Sequence, residues 1–174
     1  FMAVSNYKRD IGWRKDKPST IYYVEALDKG NPEIKVPYRD ALYEWEAPFG
    51  QKSILLTKTI NRYAGIIWGN DLNAIIYDRW WNSRNSKTYT FSPSKPDIPA
   101  RVIVDRNYQD RYSDPGDFVT RKGKYGENIL ALDGNNAFLL GDGFSEKGQF
   151  PFLDQINLKS NKKNRNYQST YTDK

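Results

Sequence analysis

Residues 63–78 read YAGIIWGNDLNAIIYD. The stretch holds two runs of aromatic and β-branched residues, at 63–68 and 74–77, which are typical of β-strands. An earlier stretch repeats this pattern weakly. Trp13 is followed eight residues later by Ile21-Tyr22-Tyr23-Val24, and Trp68 is followed seven residues later by Ile75-Ile76-Tyr77-Asp78. The two copies predict a repeated unit of short strands.

Strand-like runs continue on both sides of these copies, and turn signals separate them. They lie at residues 20–26, 87–91, 101–105, 128–132 and 137–140. Asp40 to Glu46 (DALYEWE) fits either a short helix capped by Asp40 or a strand, and we predict a strand. Asp133-Gly134 predicts a tight turn between the last two runs, because glycine accepts the positive φ that such turns require.

Sets of four short strands at a regular period are typical of propeller blades. We therefore predict an all-β fold, a partial β-propeller of about three four-stranded antiparallel blades, forming one unit over residues 1–174. The expected blades are 9–60, 61–106 and 117–171. The alternative is a β-sandwich in which two strand pairs are similar by chance. Three blades are too few to close a propeller ring, so a fragment of a longer protein is expected.

The absence of cysteine and histidine excludes several kinds of chemistry. A chain without them has no disulfide, thiolate nucleophile, imidazole ligand or Ser-His-Asp triad. The nucleophile elbow G-x-S-x-G is missing, and the three Ser-x-x-Lys matches lie in turn-like sequence. Four acids that could bind calcium lack the EF-hand spacing and alternate with arginines, and they are Asp105, Asp110, Asp114 and Asp117. We expect no metal, no cofactor and no self-contained active site.

The net charge of +6 invites a nucleic-acid interpretation, but its distribution weakens it. Residues 151–174 carry five basic and two acidic residues, and in the rest of the chain bases alternate with acids instead of forming a continuous stripe. Arg79-Trp80-Trp81 could stack on bases, although ordinary strand residues are the simpler interpretation. We expect neither nucleic-acid binding nor a membrane segment, since the best apolar run, residues 64–69, is too short to span a bilayer.

Five stretches, in this order, resemble a known family: IGWRKDKPSTIYYVEALDKGNPE (11–33), VPYRDALYEWEAPF (36–49), GIIWGNDLNAIIYD (65–78), VDRNYQDRYSDPGDF (104–118) and FPFLDQINL (150–158). The first and fourth are the most specific. Together they resemble the N-terminal β-propeller of prolyl oligopeptidase-family serine peptidases, in the glutamyl endopeptidase-like branch. The resemblance covers nearly the whole chain.

The resemblance implies a non-catalytic role for this chain. The complete protein would carry a C-terminal α/β-hydrolase domain, absent here, with the serine, acid and histidine. The propeller would gate or bind peptide substrate for that domain, with a preference for glutamate. The parent protein would be a serine peptidase, periplasmic or secreted, whereas this chain alone would not be an enzyme.

If the parent selects glutamate, propeller cations are candidates for binding the carboxylate, because arginine pairs with carboxylates in bidentate geometry. The candidates are Arg79, Arg84, Arg106 and Arg111, with Trp80 and Trp81 beside them. The simpler interpretation places these arginines in local ion pairs. A function from a different class is a stand-alone binding module for a protein or glycan partner, which would use Trp80, Trp81 and Arg84.

Overall fold

The structure, a computed structural model, describes residues 1–171, and all the regular secondary structure in that range is β-strand. The prediction of an all-β chain is therefore confirmed, and so is the strand over Asp40–Glu46. The strands form three large antiparallel sheets, each built from consecutive segments of the chain. We refer to these sheets as blades 1, 2 and 3.

Blades 1 and 2 are simple four-stranded meanders in which each strand pairs with the next. Blade 1 contains β1 (Arg9–Trp13), β2 (Thr20–Ala26), β3 (Asp40–Glu46) and β4 (Ile54–Thr59). Blade 2 contains β5 (Arg62–Asn70), β6 (Asn73–Trp80), β7 (Asn85–Phe91) and β8 (Arg101–Asn107). Their strand order is the same, which explains the sequence similarity between the two copies.

Blade 3 has the same order but an interrupted first strand. Its strands are β9 (Asp117–Phe118), β12 (Leu132–Asp133), β13 (Asn136–Gly141), β16 (Phe152–Asn157) and β17 (Lys163–Gln168). Strands β9 and β12 pair with successive parts of the same edge of β13. Between them the chain leaves the sheet as a separate hairpin of β10 (Thr120–Lys122) and β11 (Asn128–Leu130). A second small hairpin, β14 (Phe144–Ser145) with β15 (Gly148–Gln149), lies between β13 and β16.

The predicted tight turn at Asp133-Gly134 joins β12 to β13. Gly134 has φ +59°, a conformation that favours glycine, and the two strands pair directly on either side of the turn. The turn is also tied to the far end of β16, because the Leu158 amide donates to the Asn135 carbonyl at 2.8 Å.

Two apolar layers hold the blades together face to face. Val24, Leu42 and Leu56 of blade 1 pack against Trp68 and Ile76 of blade 2. The opposite face of blade 2 packs on blade 3, with Ile75 against residues that include Leu130, Ala137, Leu139 and Ile156. Since successive strand residues point to opposite faces, blade 2 supplies one set of side chains to each layer.

The first strands of the blades converge, whereas the last strands diverge. Hairpin β10–β11 of blade 3 lies against β5, and its Glu127 reaches Lys15 of the β1–β2 turn at 3.7 Å. By contrast, clefts of about 320 and 380 Å³ open where β8 faces blades 1 and 3. This wedge shape is that of propeller blades around a channel, with the first strands on the channel side. The chain is thus a partial β-propeller of three blades.

The two tryptophans of the sequence repeat sit at equivalent places in different surroundings. Trp68 lies two residues before the end of β5, on the face that blade 1 covers, and it is 1% exposed. Trp13 ends β1 on the corresponding face of blade 1, which no blade covers in the described part of the chain, and it is 61% exposed. The repeat therefore reproduces the blade, and the neighbouring blade determines burial.

Candidate functional site

The turn between β6 and β7 brings two of the predicted arginines together on aromatic rings. The Arg84 guanidinium lies 3.9 Å from the centroid of the Trp81 ring, and that of Arg79 lies 4.8 Å from the Tyr108 ring. Phe1 stacks on Trp81 at 5.6 Å between centroids. We call Arg79, Trp81, Arg84 and Tyr108 the arginine–aromatic cluster.

Strand register explains how the cluster forms. Ser86 of β7 pairs with Arg79 on one side and with Arg106 on the other. Two residues further along, beyond the Asn85–Asn107 pair, the Tyr108 amide donates to the Arg84 carbonyl at 2.9 Å and extends the β7–β8 ladder by one rung. The Arg84 Nη1 also lies 3.4 Å from the Tyr108 hydroxyl. Tyr108 is thus held between the two arginines.

Trp80 does not join the cluster, although it lies between Arg79 and Trp81 in sequence. Adjacent strand residues point to opposite faces, so Trp80 faces blade 1. There the Arg39 guanidinium covers its ring at 4.3 Å. The Arg-Trp-Trp triplet is therefore divided between two faces of the sheet.

Arg106 and Arg111 lie in different surroundings from the cluster. Arg106 bonds the Asp114 carboxylate at 3.0 Å and the Asp110 carbonyl at 2.7 Å, as the ion-pair interpretation expects. Arg111 stacks on Phe144 at 4.0 Å, beside a cavity of about 190 Å³ whose lining includes Asp114, Asp117 and Asp142. Three carboxylates make that cavity unfavourable for a negatively charged ligand.

Arg79 and Arg84 differ from most of the other arginines in lacking carboxylate partners. Within residues 1–171 no aspartate or glutamate oxygen comes within 4.0 Å of either guanidinium, whereas six other arginines form ion pairs there: Arg9, Arg14, Arg39, Arg62, Arg106 and Arg165. A guanidinium lying on an aromatic face keeps its donor edges available for an anion. The cluster can therefore bind a carboxylate.

A buried ion network lies next to the cluster and fixes the junction between blades 1 and 2. Asp28, which is fully buried, accepts from Arg62 at 2.7 and 2.8 Å and from Arg39 at 2.7 Å. Arg62 also bonds the Asp40 carboxylate at 3.1 Å. Because Arg39 is the residue that covers Trp80, the network sets the position of β6 where it enters the turn.

The pKa of Asp28 reflects this arrangement. Burial by itself raises the pKa, but the hydrogen bonds from Arg62 and Arg39 outweigh it and hold the pKa below its usual value. Asp78 shows the opposite balance. Its burial raises its pKa despite donors from Tyr89 at 2.5 Å, the Asn61 amide at 2.8 Å and the Lys87 amide at 3.0 Å. Both carboxylates serve the fold, since neither is exposed.

The acidic residues from Asp105 in β8 to Asp117 in β9 do not gather at one site in the structure. Asp105 pairs with Lys87 at 2.5 Å, and Asp114 pairs with Arg106. In the range 1–171 no three Asp or Glu side chains are grouped so that they could share a metal ion. The same residues contain no helix that could cross a membrane.

Tyr108 and Phe1 are site residues that the sequence interpretation missed. Tyr108 lies in the stretch NYQDRY, and its location two residues beyond Arg106 in a strand-like run is the only sequence signal for it. Phe1 stacks on Trp81, which lies 80 residues away in sequence, and no local sequence pattern predicts a contact over that distance.

Successive four-stranded antiparallel blades, with one end carrying exposed cations, define the chain as a β-propeller segment. Its curated relatives carry one name. The chain is 37% identical over 174 residues to a protein named "Probable glutamyl endopeptidase, chloroplastic" in Oryza sativa subsp. japonica, and 34% identical over 175 residues to one of the same name in Arabidopsis thaliana. In both cases the match covers 96% of this chain.

These relatives confirm the resemblance to glutamyl endopeptidases over nearly the whole chain. The chain spans only 19% and 18% of their lengths, so it corresponds to one segment of a much longer protein in each case. No family model matches the chain. A solved structure of an oligogalacturonate lyase in complex with manganese is similar over 91% of this chain and 36% of its own, with 15% identity and a TM-score of 0.45.

Proposed function

We propose that this chain is the propeller segment of a serine peptidase of the prolyl oligopeptidase family, in which it binds peptide substrate for a separate α/β-hydrolase domain. The observation that carries the proposal is the 37% identity to a glutamyl endopeptidase over 96% of the chain. The absence of histidine and cysteine agrees with it, because catalysis by a serine triad then needs residues from elsewhere.

The arginine–aromatic cluster is the proposed contact for the substrate's glutamate. Arg79 and Arg84 are its two cations without carboxylate partners among the described residues, and Tyr108 and Trp81 hold their planes. A glutamate side chain offers the planar carboxylate that a guanidinium binds through two parallel hydrogen bonds. Glutamine has the same shape without the charge, so comparing a glutamate substrate with its glutamine counterpart tests this contact directly.

The test uses the longest protein that the gene for this chain encodes. We expect a fluorophosphonate probe to label a serine outside the 174 residues, and this chain alone to leave glutamyl peptides intact. Labelling of a serine within the chain, or hydrolysis by the chain alone, would refute the proposal.

The glutamate contact is tested with paired peptides that differ only in glutamate or glutamine at the cleaved position. The double variant Arg79→Ala/Arg84→Ala should lower the preference for glutamate by about tenfold or more, the effect of losing one charge-assisted contact. Arg106→Ala is the matched control, because its guanidinium is already paired with Asp114. Equal preferences in the double variant and the unsubstituted protein would remove the cluster from the proposal.

A second candidate is a stand-alone module that binds a protein or glycan partner through Trp81 and Arg84. The observation favouring it is the 41% exposure of Trp81, which is unusual for tryptophan. Native mass measurement with solution scattering separates the two functions. A compact, stable monomer of 174 residues favours the module.

A further inference from the structure

Hairpin β10–β11 is a feature that the proposed substrate contact does not use. It interrupts the first strand of blade 3 and lies against β5, on the side where the first strands converge. Its Glu127 meets Lys15 of the β1–β2 turn, at the end of the sheets opposite to the β6–β7 turn. The hairpin is therefore separate from the arginine–aromatic cluster.

The base of the hairpin is firmly fixed. Ile129 and Leu130 are buried, and Leu130 belongs to the apolar layer between blades 2 and 3. Gly69 of β5 allows this close approach, since a Cβ there would lie 3.3 Å from Leu130 and 2.5 Å from the Asn73 carbonyl oxygen. Hydrogen bonds of 2.8 Å at Gly123–Glu127 and 2.9 Å at Ala131–Val119 close the two ends of the ladder.

The outer edge of β10 carries no further strand in the part of the chain that the structure describes. Arg121 lies opposite Ile129, two residues from each of the hydrogen-bonded pairs that close the ladder, Val119–Ala131 and Gly123–Glu127. Hydrogen-bonded and non-hydrogen-bonded pairs alternate along an antiparallel ladder. Arg121 is therefore in a hydrogen-bonded pair, and the N–H and C=O groups of Thr120 and Lys122 point away from β11. They form a short edge of the kind that accepts an added strand, although the Lys122 carbonyl also accepts a long hydrogen bond from the exposed Arg121 Nη1, at 3.4 Å.

The side chains around this edge are basic. Arg121, Lys122 and Lys124 are exposed, and no carboxylate of residues 1–171 lies within 4.0 Å of their charged nitrogens. Tyr125, which is 45% exposed, lies beside the Lys124 ammonium at 5.7 Å. Such an edge favours a partner that is extended, can donate and accept backbone hydrogen bonds, and is acidic.

We propose that the open edge of β10 binds an extended acidic peptide as an added strand, with Arg121, Lys122 and Lys124 holding its carboxylates. Backbone pairing supplies the alignment. Arg121 and Lys122 are adjacent in β10 and point to opposite faces, so the cations select for glutamate or aspartate side chains on both faces of the added strand. A nucleic acid is the less suitable partner, because the three cations form a local group without the continuous basic track that a phosphate backbone follows.

The experiment measures binding of a fluorescein-labelled peptide of repeating Glu-Glu-Thr-Thr units, which places carboxylates on both faces of a strand, to the 174-residue chain by fluorescence anisotropy. The triple variant Arg121→Gln/Lys122→Gln/Lys124→Gln should weaken binding at least about tenfold, which corresponds to about 1.4 kcal/mol. The matched control Lys35→Gln/Lys159→Gln/Lys162→Gln removes the same charge from exposed positions elsewhere and should change affinity less than about threefold.

A second probe tests the added strand without any variant. The same peptide methylated on every backbone nitrogen keeps its charge but has no N–H left to donate to the ladder on either edge, and it should bind at least about tenfold more weakly. Equal binding of methylated and unmethylated peptides would overturn the proposal. So would equal losses in the triple variant and its control, or a DNA duplex that displaces the peptide at low salt.

The variant Arg79→Ala/Arg84→Ala distinguishes this proposal from the proposed function. It should leave binding of the glutamate–threonine peptide unchanged, because the arginine–aromatic cluster lies at the other end of the sheets. Loss of binding in that variant alone would move the peptide to the cluster and refute the β10 site. If the triple variant does not fold, the single variant Lys124→Glu replaces it. This substitution changes one exposed side chain at the hairpin tip and should also weaken peptide binding.

Discussion

Asp28 receives arginines from two different elements, Arg39 from the β2–β3 connection and Arg62 from β5. Its carboxylate has no exposure to solvent, so its charge is stabilised entirely by these partners and by the Gly30 amide at 3.0 Å. Removing one charged member of such a group leaves the opposite charges buried without a partner. The resulting loss in the free energy of unfolding is larger than the contribution of the intact ion pair.

We therefore expect Asp28→Asn to lower the free energy of unfolding by about 3–5 kcal/mol at neutral pH. The folded-state pKa of Asp28 lies below its unfolded value, so its contribution is present above the unfolded pKa and is lost as pH falls through the folded pKa. The difference between the variant and the unsubstituted chain should accordingly shrink in acid. Urea denaturation at neutral and acidic pH measures both quantities.

The exposed Asp97 offers a control for this prediction. Asp97→Asn should change stability by less than about 0.5 kcal/mol at either pH, as surface substitutions usually do. A constant difference between Asp28→Asn and the unsubstituted chain across the whole pH range would show that the pKa of Asp28 is not shifted by folding.

At the scale of the elements, β1 and β5 carry equivalent tryptophans that differ in whether a neighbouring blade covers them. Trp68 packs between Tyr22 at 5.4 Å and Phe91 at 6.3 Å, under the Arg14 guanidinium at 4.5 Å. Trp13 touches only the tilted ring of Phe49, at 6.5 Å, among the aromatic contacts of the described residues. The pair forms an internal comparison of the same residue at the same blade position.

Trp68→Ala should cost about 3–5 kcal/mol of stability, because it leaves a large cavity between two blades. Trp13→Ala should cost less than about 1 kcal/mol, since most of its side chain is already in water. Chemical denaturation monitored by far-ultraviolet circular dichroism compares the two. Similar losses for both would mean that blade 1 does not cover Trp68 in solution.

Much of this element-level organisation is predictable from the sequence. Alternating aromatic and β-branched residues predict β2, β3, β6 and β7, and Asp-Gly predicts the β12–β13 turn, because these signals are local. The interruption of the first strand of blade 3 is not predictable in this way. Asn128 to Leu132 has strand composition, but whether it pairs with β10 or β13 depends on contacts across the sheet.

The candidate site, too, is only partly predictable from the sequence. Arg79 and Arg84 are identifiable as cations beside aromatic residues, but their freedom from carboxylates depends on where distant acids lie. Asp105 pairs with Lys87, and Asp114 pairs with Arg106. Sequence proximity would have assigned these acids to any of four arginines. The β7–β8 register places Asp105 opposite Lys87, and the loop after β8 brings Asp114 back to Arg106.

At the scale of the molecule, the uncovered face of blade 1 is rich in aromatic side chains. Trp13, Tyr43, Trp45 and Phe49 lie on or beside it, and Trp45 and Phe49 contact each other at 5.3 Å between centroids. An apolar surface of this kind favours association. The equivalent face of blade 2 is covered by blade 1.

We expect the 174-residue chain to associate with itself in a concentration-dependent manner, and Trp13→Lys to weaken that association by placing a charge on the apolar face. Sedimentation velocity over a wide concentration range measures it. Tyr171→Lys, which replaces an exposed aromatic residue far along the chain from this face, is the control. An unsubstituted chain that stays monomeric at every concentration would contradict the expectation.

The reach of hairpin β10–β11 has a consequence for cooperativity. In an array of stacked repeats, each unit interacts with its immediate neighbours, and stability is close to a sum over units and shared interfaces. Here the Lys15–Glu127 contact joins the first unit to the third across the second. Local opening of blade 3 therefore removes a contact of blade 1 as well, and the energetics of the array extend beyond nearest neighbours.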